Sequence, residues 1–502
     1  MKKICRYWFF PVSFVFADVY KLLLFYIGLA YGENRVYDII YPAGCALFAL
    51  ACGICFLYTI KERVKSRRTA AALLLPAAAL LLFAVFFATG LIRGGLGNSR
   101  AYNIGLFVLR CLPAFMGGVS AALWRSEEEF TAAFERLTFA AAPAGLIYFV
   151  MSVADSSIFT DGTYLGVINY MSFAYTLMPL LACLMLRFYE NAPMRMPFSE
   201  RAMKHPQVFR AAAILIFWVD IISSGTRGAY LAVVLFCIAA FLWRALSRRR
   251  ARGGFVLSAV MAVIIVFNIF VWAPAGMKGT ARINIFFDGI KDGDFTTTDT
   301  EDPAVTDQID AALDDVLNGN TGEIVIDGDY RISDRDSIYK LALAEFLRAP
   351  LTGMGQGAFQ EKYKVYPHNM FLEMLCETGI VGTAPLVLLL VLTLFGILRA
   401  VRRSRGAAEI LLLLGAYFVR ENISNSIWQS VPLFAALGFG LVLVTLRPQT
   451  PAAETEGTTR ERPQRKKKYI VGDLFGHRRD NYCKAAWLCK ADGCLRRVRG
   501  DA

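Results

Sequence analysis

The sequence predicts an all-α polytopic membrane protein of about twelve transmembrane helices, with one large outward loop between spans nine and ten. Three observations carry this expectation. Of the 502 residues, 56% are hydrophobic and 13% aromatic. The apolar residues gather in repeated runs of about 18 or more, the length that crosses a hydrocarbon core as helix. Those runs are continuous rather than alternating, which excludes a membrane barrel, because backbone in lipid has to bond within its own helix.

Taken in order, spans are predicted at 8–30, 38–60, 69–91, 104–123, 131–152, 165–187, 208–224, 229–247, 254–275, 369–399, 408–427 and 430–447. The N-terminal MKKICRYWFF is basic and then apolar, with no small-residue cleavage site before the next span, so it reads as an uncleaved first helix. Basic clusters follow at KERVKSRR (61–68), through 187–210, at RALSRRRAR (244–252), RAVRRSR (399–405) and RPQRKKK (462–468). All of them, and the N-terminus, fall on one side of the span count. The positive-inside rule makes that side the cytoplasm and puts both termini there.

The chain therefore divides into spans one to nine (1–276), a large extracytoplasmic loop (277–368), spans ten to twelve (369–447) and a basic cytoplasmic tail (448–502). Residues 277–366 hold 17 acidic and nine basic side chains, against a net charge of +13 for the whole chain. A basic inside and an acidic outside account for the charge, so no nucleic acid is needed as a partner. Within the loop, 288–334 is an acidic, Thr- and Gly-rich insertion with a short helix at about 307–317 and no EF-hand spacing. From 335 to 349 an amphipathic helix is predicted, its apolar face made by Ile338, Leu341, Ala342, Ala344, Phe346 and Leu347, lying against the membrane surface or the bundle. The polybasic start of the tail is suited to anionic lipid. Most of the eleven cysteines lie in apolar runs and form no disulfide framework, and Cys483, Cys489, Cys494 with His477 lack a zinc spacing.

Three outward pieces carry groups capable of chemistry. SSGTRGAYLA (223–232) is a tight turn between spans seven and eight in which Arg227 either snorkels to headgroups or, beside exposed backbone amides, grips phosphate oxygens. DRDSIYKLALAEFLRAPLTGMGQGAF (334–359) opens on Arg335 and closes on Gly353, Gly355 and Gly357, a turn that is neither a Walker loop nor a dinucleotide fingerprint. PHNMFLEMLCETGIVG (367–382) holds His368, one of three histidines, at a helix start: either a structural residue or a general base. Gly379 and Gly382 fall at helical spacing, where they allow a neighbouring helix to approach closely. Glu373 and Glu377 lie near the same helix start, stabilised there by the helix terminus or a basic partner. Arg420 and Glu421, inside span eleven, form a buried pair or line a cavity.

In this order the pieces resemble the O-antigen ligase and polysaccharide polymerase superfamily, whose motifs read here as SGTRGA, RDSIY, PLTGMGQGAF and HNMFLEMLCETGIVG. The resemblance covers about 205–445 by motif and the remainder by topology. It implies a GT-C-like bundle in the bacterial cytoplasmic membrane that takes glycan from an undecaprenyl-diphosphate donor on the outer face. The acceptor it implies is a hydroxyl on a glycan, glycolipid or other molecule, and no metal, nucleotide sugar or other cofactor is expected. Carried over residue by residue, it assigns Arg227 and Arg335 to the donor diphosphate and His368 to deprotonation of the acceptor hydroxyl, with Asn369, Glu377 and Tyr339 as supporting candidates. An imidazole near its reference pKa suits that task. Arg331, four residues before Arg335, competes for the same role; Tyr339 stands where the family often has Trp, and the long acidic insertion and basic tail depart from the pattern. The alternative class is a lipid-linked oligosaccharide flippase or other polytopic transporter, which should show related halves and polar groups at the midplane. Here the suspicious residues gather outward and in the C-terminal half.

Overall fold

Helices form where the sequence supplies long apolar runs, because only a helix satisfies its own backbone away from water. The computed structural model describes residues 1–27, 29, 35–154, 163–164, 168–195, 202–224, 226–246, 260–261, 263, 303–320, 322–326, 332, 335–423 and 425–446. They form α1 (Phe9–Tyr26), entered through a π-helical turn at Ile4–Trp8, α2 (Arg35–Arg63), the short α3 (Arg67–Ala71), α4 (Leu74–Gly94), α5 (Asn98–Leu106), α6 (Leu112–Trp124) and α7 (Glu127–Ala154). Two two-residue strands, Thr163–Tyr164 and Ile168–Asn169, pair antiparallel before α8 (Tyr170–Tyr189), α9 (Pro206–Ser223) and α10 (Arg227–Leu246). The C-terminal half supplies α11 (Pro303–Leu317), α12 (Arg335–Arg348), α13 (Ala358–Tyr363), α14 (Met370–Val401), α15 (Arg405–Ile423) and α16 (Val431–Thr445).

Six segments are long and apolar enough to cross a membrane: Ile4–Leu24, Val36–Arg63, Arg67–Gly94, Asn98–Trp124, Glu127–Val150 and Met370–Val401. They coincide with predicted spans one to five and ten. Spans six, eight and twelve correspond to the shorter apolar helices Phe173–Tyr189, Leu231–Ala240 and Val431–Thr445. Spans seven and eleven are the helices α9 and α15, outside that long apolar class; α15 carries Arg405, Glu409 and Arg420. The span predicted at 254–275, most of the acidic insertion and the tail lie outside the described residues. The chain is thus a helical, multi-pass membrane protein, with six such spans among the described residues.

Two compact units are distinguished. One comprises Met1–Cys237 and Gly253–Arg447, the other Ile238–Arg252 and Pro448–Ala502. Of the second, only the last turns of α10, 238–246, are described.

Within the first unit, small residues set the helix spacing. A side chain on Gly118 of α6 would run into Ala435 O and Phe439 N of α16, and one on Gly438 of α16 into Phe115 O of α6. Such reciprocal close approach lets helices associate where lipid removes the hydrophobic driving force. A buried ion cluster joins α7, α8 and α9: Arg210 Nε meets Glu135 Oε1 at 2.5 Å and Nη2 meets Oε2 at 3.1 Å, while Arg187 Nε lies 3.4 Å from Oε2.

The amphipathic helix is α12, and it packs on protein. Ile338, Leu341, Ala342 and Ala344 are buried in a cluster with Ile309, Ile324, Phe359 and Cys376, and Phe346 and Leu347 pack against it. The helix predicted at about 307–317 is α11, whose Val305, Ile309 and Val316 enter the same cluster.

Candidate functional site

His368 is held by its neighbours in the turn before α14. Asn369 caps that helix, its Oδ1 accepting from Phe371 N at 3.0 Å and Leu372 N at 3.1 Å, while its Nδ2 donates to Asn422 O at 3.3 Å. Capping turns the chain sharply, and His368 takes a left-handed conformation with φ +55°. Its ring lies against Tyr366, with centroids 4.1 Å apart at 48°. Nδ1 is buried and has no hydrogen-bond partner among the described residues. Burial first, and the charge of Arg335 second, hold the His368 pKa down at about 4. The expectation of an imidazole near its reference value is corrected accordingly: it is neutral at physiological pH because ionising it would place a second cation in a partly dehydrated site.

Arg335 begins α12, is exposed, and has no ion-pair or hydrogen-bond partner among the described residues. Its charge is felt at His368 and also at Tyr366 and Tyr339. Burial pushes the Tyr366 phenol up to about 12 and raises that of Tyr339, so both remain neutral hydrogen-bonding groups. Arg335, Tyr366 and His368 are therefore brought together. The side chains of Arg227 and Glu421, and the whole of Arg331, lie outside the described residues; the backbone of Arg227 starts α10 after a turn in which Ser224 Oγ donates to Ile221 O at 2.7 Å and accepts from Thr226 N at 3.2 Å.

The glycine-rich turn serves a structural purpose that the spacing did not disclose. Helix α14 is broken at Gly379 (φ +62°, ψ −168°), and in a continuous helix Ile380 N would bond Cys376 O and Val381 N would bond Glu377 O. Instead Cys376 O accepts from Met354 N and Glu377 O from Gly355 N, each at 2.8 Å, while Ile380 N donates to Pro350 O at 2.8 Å and Val381 N to Leu351 O at 3.1 Å. The segment 350–355 is thus a plug that satisfies these four backbone groups at the break. A side chain on Gly379 would strike the Leu351 carbonyl, and one on Gly353 the backbone of Glu377. The expectation that Gly379 accommodates a neighbouring helix is corrected: it admits a loop. Gly382 does face a helix, since a side chain there would meet Phe86 of α4 as well as Thr378.

The carboxylates of α14 brace the turn that follows α15. Glu373 accepts from Ser426 Oγ at 2.6 Å and Ile427 N at 2.7 Å, and Glu377 Oε2 accepts from Trp428 Nε1 at 2.8 Å. Both are 1% exposed. Glu377 therefore supports the backbone around the break, and Asn369 sets the helix start.

An open cavity of about 540 Å³ adjoins the same plug, lined by Arg100, Glu323, Arg348, Glu361 and Lys362, and His368 is not among its residues. Its cations are already committed: Lys362 and Arg348 to Glu345 at 3.1 and 2.8 Å, and Arg100 to Gln356 O at 3.0 Å. The group that sequence reading left open, Arg420, lies with its guanidinium 4.5 Å from the ring centroid of Tyr175, and its charge reaches Tyr366.

What the arrangement offers is a neutral imidazole near a guanidinium that has no partner among the described residues, a pairing suited to accepting a proton next to a bound anion. No curated protein and no solved structure matches the chain. Residues 212–387, about a third of the sequence, match the family model described as O-antigen ligase. That segment contains Arg227, Arg335 and His368, and over it the chain is similar to the O-antigen ligase family.

Proposed function

We propose that this protein transfers a glycan from an undecaprenyl-diphosphate-linked donor to an acceptor hydroxyl at the outer face of the bacterial cytoplasmic membrane, acting as a ligase or a polymerase in cell-surface polysaccharide synthesis. The observation that carries the reading is the buried Nδ1 of His368 beside Arg335, neither having a hydrogen-bond or ion-pair partner among the described residues. In the reaction, the acceptor oxygen bonds to the anomeric carbon of the donor sugar as its proton passes to His368. The bond from that carbon to the phosphate oxygen breaks, and the lipid diphosphate leaves with the electron pair. Arg335 and Arg227 meet the charge that develops on it, as guanidinium stays ionised where water is scarce. No metal is required for either role.

Donor binding would also tune the base. Arg335 is the second cause of the low His368 pKa. A diphosphate on Arg335 cancels that charge, so His368 gains basicity when the donor is in place. The test is transfer from undecaprenyl-diphosphate oligosaccharide by purified, reconstituted protein, comparing wild type with Arg227→Gln, Arg335→Gln and His368→Asn. Each variant is expected to lose transfer by about 100-fold or more, the usual scale for a general base or an oxyanion partner. Undiminished transfer in all three would overturn the site.

A further inference from the structure

We infer that Arg420 is a further arginine of the anion site, holding a phosphate of the lipid-linked donor across from Arg335. The inference deepens the proposed function and rests on it. Arg420 lies outside residues 212–387, so the family match assigns it nothing.

Other arginines inside this fold are held by oxygen acceptors. Arg210 holds both oxygens of Glu135 and the Ala192 carbonyl; Arg110 Nη2 holds Asp18 Oδ1 at 2.8 Å; Arg100 holds the carbonyls of Gln356 and Gly94. Arg420 holds a ring. Its guanidinium is stacked on Tyr175, its Nε is buried without a hydrogen-bond partner, and it has no ion pair among the described residues. Contact with a ring face uses none of a guanidinium's N–H donors, which leaves them available for phosphate.

Its position is equally specific. Arg420 lies in the last turn of α15, and two residues on Asn422 O accepts from Asn369 Nδ2, next to His368. Tyr366, which packs on the His368 ring, feels the charges of both Arg420 and Arg335. Two guanidiniums without counter-ions among the described residues thus act on the tyrosine that flanks the base. Glu373, whose charge also reaches Tyr366, is engaged with Ser426 and Ile427. Two cations that flank one tyrosine repel one another, and a diphosphate ester between them removes that repulsion.

The experiment uses full-length protein in liposomes and measures donor KM and kcat together with binding of two probes, undecaprenyl diphosphate and inorganic pyrophosphate. Arg420→Gln is expected to weaken both probes and raise donor KM by about tenfold or more, the equivalent of one charge-assisted hydrogen bond. Arg420→Lys, which keeps the charge and loses the fork, should recover part of the loss. If Arg420→Gln weakens the lipid alone, the contact is to the prenyl chain and the assignment fails. Binding lost in Arg335→Gln but intact in Arg420→Gln overturns this assignment by itself, whereas wild-type protein that binds neither probe overturns the proposed function as well. Tyr175→Leu gives an independent variant should Arg420→Gln not fold: it removes the platform, and an unchanged donor KM in it would count against the assignment.

Discussion

His368 is presented in a backbone conformation that most residues resist. At φ +55° an alanine would be strained, whereas Asn tolerates the left-handed region, so His368→Asn tests the imidazole without disturbing the turn. The sign of its pH dependence follows from the site. Burial and Arg335 lower the pKa to about 4, and a base has to be neutral to act. The acid limb of kcat/KM, which reports the free enzyme, is therefore expected near pH 4, with activity lost as pH falls through it. The limb of kcat should lie higher, because bound diphosphate cancels the Arg335 charge, and Arg335→Gln should raise the kcat/KM limb. A kcat/KM limb at about 6.5 would mean an unperturbed, solvated imidazole and sink the argument. Much of this was legible at the level of motif: His368 and Arg335 lie about thirty residues apart, and only the order of the motifs joins them. Arg420 was visible as an intramembrane charge, but its alternatives were a pair with Glu421 or a cavity, and nothing local says that Tyr175, 245 residues earlier, lies beneath it.

At the scale of the element, the decisive feature is a helix that stops being a helix for one residue. The apolar pattern from 369 to 399 reads as one span because hydropathy carries no information about backbone bonds. Those bonds come from Pro350, Leu351, Met354 and Gly355, more than twenty residues away in sequence. The glycines could be read as turn and close-approach residues, yet not as partners. The consequence is testable through Gly379→Ala and Gly353→Ala. Each forces an L side chain into positive φ, a cost of roughly 1–3 kcal/mol, and drives a methyl into facing backbone. Both are expected to lower the thermal midpoint in detergent and to impair transfer while the protein still inserts. Because both methyls enter one junction, the double variant should lose less than the sum of the singles. Full additivity in a double-mutant cycle would show that loop and helix break are independent, contrary to the bonds between them.

For the whole molecule, the loops fall into two groups that never exchange partners among the described contacts. One group ties Arg93 to Gly353, Ser99 to Glu361, Asn103 to Gln360 and Glu373 to Ile427. The other ties Arg6 to Glu129, Arg63 to Leu123, Ser404 to Glu128 and Arg405 to Glu190. Alternating spans require such a partition, and the sequence separates the two by charge: the second group carries Lys61, Arg63, Lys65, Arg67, Arg68, Arg402 and Arg403. The proposed function requires that the second group face the cytoplasm, as the positive-inside rule expects, and that Arg335, His368 and the plug face outward. Single cysteines decide the orientation. Asn98→Cys and Lys364→Cys are exposed positions in the first group, Lys65→Cys and Arg403→Cys in the second. In intact cells stripped of their outer wall, a membrane-impermeant maleimide should label the first pair above the wild-type background and reach the second pair only after permeabilisation. The reverse pattern would leave the fold as it is and end the outer-face reaction, since His368 and Arg335 would then open toward the cytoplasm and any donor would have to be used before it crosses the membrane.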